Sequence, residues 1–134
     1  MPRFEGATRV VEVGVGRRPA VALALADRGV EVLTTDLVER AVPEPLGFAR
    51  DDITAPTRSL YAGADWLYAL HCPPELQRPL ATLAASVEAA CAFSTLGGDP
   101  ALVPAIPERL GETTLFVVDD GAVEAARSGS GESP

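Results

Sequence analysis

The sequence predicts a doubly wound α/β domain in three layers, α/β/α, with helices on both faces of a mostly parallel sheet. Three observations carry this. Short apolar runs of strand character alternate with helical segments along the chain. A glycine turn, Gly14-Val15-Gly16, stands between the first run and the first helix. An acid, Asp36, closes the second run 20 residues after Gly16.

Taken in order, Arg9 to Val13 (RVVEV) is short, apolar and rich in β-branched residues, the pattern of a buried strand. After the glycine turn, Pro19 opens a helix, because its missing N–H would be unpaired in a first turn anyway. That helix, PAVALALADR, is apolar almost all round and stops at Gly29, a residue suited to the position just past a helix end. Val30 to Thr35 (VEVLTT) is the second strand. Strand, turn, helix and strand thus make one βαβ unit of Rossmann-like type, whose crossover sets the strands parallel and is right-handed.

Beyond it, LVERAV predicts a short helix before Pro43 and Pro45, and Leu46 to Arg50 a weak third strand ending at Asp51-Asp52. Ala64 to Leu70 (ADWLYAL) is a further strand, halted by His71-Cys72-Pro73-Pro74. A long helix is expected over residues 78–91, with Leu76, Leu80, Leu83, Val87 and Ala90 as its apolar stripe and Pro79 in its first turn. Trp66 and Tyr68 alternate with Leu67 and are expected in the core. Ala92 to Leu96 is a short strand, the prolines at 100, 104 and 107 mark a loop, and Thr113 to Val118 (TTLFVV) is the last strand. The domain is expected to span residues 1–126, followed by a disordered Ser/Gly-rich tail, RSGSGESP, over 127–134.

The 134 residues suffice for one domain with its own core, and a hydrophobic fraction of 47% excludes general disorder. No apolar run is long enough to span a bilayer, and no secretory signal is visible, so a cytoplasmic location and reduced Cys72 and Cys91 are expected. A net charge of −8 excludes a general nucleic-acid binder, which needs basic patches. All 11 basic residues are arginine, set against 19 acidic ones. That balance suits a salt-rich cytoplasm, where repulsion between carboxylates is screened, and suggests a halophilic protein.

Ligands of doubly wound sheets bind at the carboxyl ends of the strands, where the strand order reverses. Gly14, Gly16, Asp36, Asp51, Asp52 and His71 all fall at such ends. The glycines let backbone approach a ligand closely. An acid ending the second strand can accept hydrogen bonds from both ribose hydroxyls, which makes Asp36 the candidate ribose ligand. The site is therefore one for an adenosine-containing cofactor. The dinucleotide fingerprint wants a third glycine or alanine three residues after the second, where this chain has Pro19. Arg17 and Arg18 could pair with phosphates of NAD, or be solvated charges beside the helix. Against NAD stands Glu12, an acid two residues before Gly14, which suits an ammonium better than a pyrophosphate.

The segment Glu12-Val13-Gly14-Val15-Gly16 resembles the Asp/Glu-x-Gly-x-Gly motif of class I S-adenosylmethionine-dependent methyltransferases. The resemblance implies that Glu12, Gly14 and Gly16 hold the methionine end of S-adenosylmethionine. It further implies that Asp52, in preference to Asp51, lies near the adenine; the same aspartate could equally cap a turn before Ile53-Thr54. Cys72-Pro73-Pro74-Glu75 takes the place of the Asn/Asp-Pro-Pro-aromatic sequence of amino-nitrogen methyltransferases, but the amide or carboxylate and the aromatic are missing. Nearly the whole chain up to Asp120 is similar to the uncharacterised protein family 0146, mainly archaeal, with a minimal Rossmann-like, methyltransferase-like fold. VVEVGVGRRPAVALALADRGVEVLTTD and YALHCPPEL carry that likeness.

Three functions follow as expectations. The first is a small methyltransferase in which His71, the only histidine, helps deprotonate an acceptor held in line. The second is an NAD-binding module using the same loop and Asp36. The third is a non-catalytic interaction protein that keeps the fold. Cys72 as nucleophile, or a metal held by His71, Cys72 and the aspartates, lacks a supporting base or a close ligand spacing.

Overall fold

The computed structural model describes residues 6–16, 19–110 and 113–119; the expected tail and Arg17-Arg18 lie outside them. Seven strands form one sheet in the order β3-β2-β1-β4-β5-β7-β6. They are β1 (Arg9–Val13), β2 (Glu31–Asp36), β3 (Gly47–Arg50), β4 (Trp66–Ala69), β5 (Ala90–Phe93), β6 (Ala105–Leu110) and β7 (Thr113–Val118). Strands β1 to β5 pair parallel, while β7 runs antiparallel to both β5 and β6. The sheet is thus mostly parallel and doubly wound, with an antiparallel pair added at one side.

Alternation along β1 divides the core in two. Val10 points to the face covered by α1 (Ala20–Asp27), where it meets Leu25, Val32, Tyr68 and Ala92. Val11 points to the face covered by α2 (Pro74–Ser86), where it meets Leu67, Leu80, Cys91 and Phe93. Both Leu25 and Leu80 are 1% exposed, so truncating either to Ala costs about 2–5 kcal/mol.

Helix α1 ends as its sequence demands. Gly29 takes φ +90, its amide bonds Ala26 O, and the Val30 amide bonds Leu25 O, the paired bonds of a glycine-terminated helix.

Five expectations on the elements are corrected. Residues 37–42 form no helix: the Asp36 carboxylate takes the Val38 amide, and the approach to Pro43 disfavours helical backbone. Helix α2 begins at Pro74 rather than residue 78, since Pro73 is extended and Pro74 fills the first helical position. Pro79 therefore lies inside the helix. Its end comes at Ser86, because Glu88 adopts φ +61 and the Glu88 and Ala89 amides bond Ala85 O and Ala84 O. Finally, the proline-marked stretch contains β6. Pro107 is accommodated there because β6 is the sheet edge, where a missing donor faces no further strand.

Candidate functional site

The strand order reverses beside β1: the chain moves to β2 on one side, and β4 flanks it on the other. At the carboxyl ends of β1 and β4 lies a cavity of about 400 Å³, walled by Glu12, Gly14, Gly16, Ala20, Leu70 and His71. It sits where a doubly wound sheet places its ligand.

The glycine turn is shaped by β2. Gly14 and Gly16 take φ +74 and +61, values an L side chain resists. The amides of Gly14 and Val15 both donate to Thr35 O, at 2.8 and 3.0 Å. The Gly16 amide donates to Asp36 Oδ2 at 2.8 Å. Asp36 Oδ1 accepts the Val38 amide at 3.2 Å, and the Arg40 guanidinium lies 3.5 Å from Oδ2. Asp36 therefore anchors the loop and closes β2 with one carboxylate. Three successive amides of the turn point at the end of β2.

Glu12, an expected site residue, is buried in a way the sequence does not reveal. It is 1% exposed, on the same face as Val10, and its Oε1 accepts the Tyr68 hydroxyl at 2.8 Å. Burial pushes its carboxyl from 4.5 up to about 7, while the Tyr68 hydrogen bond pulls the other way. Burial, reinforced by the neighbouring carboxyl, raises the Tyr68 phenol far above its ordinary range. Among the described residues no cation pairs with Glu12.

Of the other sequence-marked residues, His71 walls this cavity, whereas Asp36, Asp51, Asp52 and Cys72 are not among the residues that line it. Asp52 is exposed, and its Oδ1 accepts both the amide and the hydroxyl of Thr54, at 2.9 and 2.7 Å, so it caps a turn. Those bonds hold its carboxyl below the usual range. Asp51 turns inward and accepts the Tyr61 hydroxyl at 2.7 Å. His71 is exposed at φ +54, with its amide donated to Ser94 Oγ at 2.8 Å. Ser94, which sequence reasoning passed over, also takes the Cys72 amide on its carbonyl at 2.7 Å, and so clamps the turn after β4. His71 walls both the large cavity and a smaller one of about 90 Å³ lined by Val13, Ile53, Ala69, Cys72 and Leu80. Burial pushes the Cys72 thiol up to about 11, which leaves little thiolate for nucleophilic attack at neutral pH.

Gln77, also unforeseen, is fully buried on α2. It donates to Pro100 O at 3.0 Å and accepts the Leu102 amide, fastening the segment between β5 and β6. No helix among the described residues is long and apolar enough to cross a membrane.

The sequence profile of the uncharacterised protein family UPF0146 matches residues 2–120. The UPF0146 protein of Halobacterium salinarum is 52% identical over 114 residues, covering 84% of this chain and 88% of the relative. That of Archaeoglobus fulgidus is 47% identical over 91 residues, covering 68% and 70%. Among solved structures, the N-terminal domain of EvdMO1 with SAH bound superposes with TM-score 0.57 at 19% identity, over 93% of this chain and 65% of that one. The S-adenosylmethionine dependent methyltransferase from Mesorhizobium loti gives 0.54 at 19% identity, over 98% and 76%. A SAM dependent methyltransferase from Archaeoglobus fulgidus gives 0.55 at 20% identity, over 70% and 47%. At these identities the likeness is one of fold, and the fold is the Rossmann-like one of methyltransferases.

Proposed function

The chain belongs to the UPF0146 family, and we propose that it is an S-adenosylmethionine-binding protein built as a small methyltransferase. One observation carries this reading: a buried carboxyl, Glu12, walls the glycine-turn cavity without a cation to pair with among the described residues. A ligand that brings an ammonium group to that wall supplies the missing charge. The methionine end of S-adenosylmethionine does so, and a cavity of about 400 Å³ is within the range of small-ligand sites. Gly14 and Gly16 leave room beside it, since a Cβ at either would meet nothing within 4 Å. In this reading Asp36 offers its remaining lone pairs to the ribose hydroxyls, and Asp52, which caps the turn at Thr54, is assigned to the adenine edge. His71, on the cavity wall, helps take the proton of an acceptor placed in line with the methyl group.

The same geometry favours this cofactor over NAD. A pyrophosphate wants free backbone amides at the glycine turn, whereas those of Gly14, Val15 and Gly16 are donated to Thr35 and Asp36. Calorimetric titration at high salt with S-adenosylmethionine, S-adenosylhomocysteine, NAD and NADP tests the reading. Micromolar binding of the first pair alone is expected. Preference for NAD, or silence from all four, would overturn it.

A further inference from the structure

Glu12 and Tyr68 are direct partners across the parallel pair of β1 and β4. The Tyr68 ring is fully buried in the core beneath α1, against residues such as Val10, Leu25 and Ala92, so packing fixes the direction of its hydroxyl. On the other side of Glu12, its β2 partner Thr34 gives its hydroxyl to Gly47 O at 2.7 Å. Among the described residues, Tyr68 is thus the one side chain that orients the Glu12 carboxyl.

We infer that Tyr68 is a positioning residue of this site: it holds the Glu12 carboxyl in the cavity wall, so that binding a cationic ligand and releasing the Glu12 proton are one event. The inference rests on the proposed function and adds to it a proton balance. The protonated carboxylic acid and the ligand's ammonium give a carboxylate–ammonium pair and one proton released to solvent. Tyr68 can donate to either form of the carboxyl, and the bond is stronger to the ionised one. Its hydroxyl therefore eases the deprotonation that burial resists.

Among the described residues, the surroundings leave Glu12 as the group that titrates with binding. From α1, Ala20 and Val21 reach the cavity and carry no ionisable group. The end of β2 contributes Asp36, already joined to Gly16 and Arg40. The turn after β4 contributes His71, a second ionisable group on the cavity wall. Separating the two needs variants at both residues of the buried pair.

The experiment titrates S-adenosylhomocysteine into wild-type protein, Tyr68→Phe and Glu12→Gln at molar salt, across about pH 5.5 to 8.5. Wild-type affinity is expected to rise about tenfold per pH unit below a midpoint and then level off. In Tyr68→Phe the midpoint moves upward by roughly one unit with the alkaline plateau kept within a few-fold, and in Glu12→Gln the profile flattens. An unmoved midpoint in Tyr68→Phe, or an equally steep profile in Glu12→Gln, overturns the inference. Should Tyr68→Phe fail to fold, calorimetry in buffers of different ionisation enthalpy decides. Proton release below the midpoint by the wild type, absent in Glu12→Gln, supports the inference; equal release by both overturns it. Should S-adenosylhomocysteine bind at no pH, the proposed function fails by itself. The inference is then decided by carbon NMR titration of the Glu12 carboxyl in ligand-free protein, where Tyr68→Phe must raise its midpoint.

Discussion

Gly16 donates its amide to the Asp36 carboxylate at 2.8 Å, and this bond ties the glycine turn to the end of the neighbouring strand. It joins two residues that would each touch the cofactor. Asp36 anchors Gly16 at φ +61, and under the proposed function it would also be the ribose acceptor.

Replacing Asp36 by Ala is expected to remove both roles and weaken S-adenosylhomocysteine binding by more than about tenfold, some 1.4 kcal/mol. Asp36→Asn keeps an oxygen for the Gly16 amide and should fall between the two. Titration calorimetry on the three proteins checks the order, and an unchanged affinity in Asp36→Ala would place the ribose elsewhere.

Stability should carry the mark of Glu12. Its folded-state carboxyl titrates at about 7, above its ordinary 4.5, so the unfolded chain loses this proton first as pH rises. Between about pH 4.5 and 7 the ligand-free protein then loses stability, by roughly 3 kcal/mol at 1.36 kcal/mol per unit. Glu12→Gln, which keeps an acceptor for Tyr68, should melt higher than wild type at pH 8 and close to it at pH 4.5. Thermal melts at the two pH values check this. Equal melting temperatures at pH 8 would show that ionising Glu12 costs the fold nothing.

The two helix ends show what was legible in the sequence. Helix α1 closes on Gly29 and could be read directly, whereas α2 closes with the same bonding pattern on Glu88, which carries no such signal. Nothing in the sequence therefore stops the helix at Ser86 or starts β5 at Ala90 instead of Ala92. β6 was hidden by Pro107, a residue that argues against any strand except an edge. At the site, spacing alone led to Gly14, Gly16 and Asp36. It could not reveal that Glu12 is buried against Tyr68, since that contact joins residues 56 apart and exists only once β4 lies beside β1. Gln77 had a faint signal, a polar residue one turn from Ala81 on the buried face of α2.

Gln77→Ala is expected to cost about 2–3 kcal/mol, because it leaves the Pro100 carbonyl and the Leu102 amide without their buried partner. Denaturant unfolding measures the loss. Hydrogen exchange should quicken at Leu102 in particular, and undisturbed protection there would show that the clamp is dispensable.

A formal charge of −8 on 134 residues suits a salt-rich environment, and a relative 52% identical to this chain is a protein of Halobacterium salinarum. Raising salt from millimolar to molar is expected to lift the melting temperature by about 10 °C, equivalent to roughly 2 kcal/mol. Scanning calorimetry across a potassium chloride series checks it, and a flat series would mean that the acidic excess plays no part in stability.

The most direct measurement is amide NMR of the labelled protein during addition of S-adenosylhomocysteine at molar salt. The account expects saturable shifts concentrated at Glu12 to Gly16, at Asp36 to Val38 and around His71. Shifts centred elsewhere, for instance along the exposed side of α2, or no shifts at all, would contradict the assignment of the cofactor to the glycine-turn cavity.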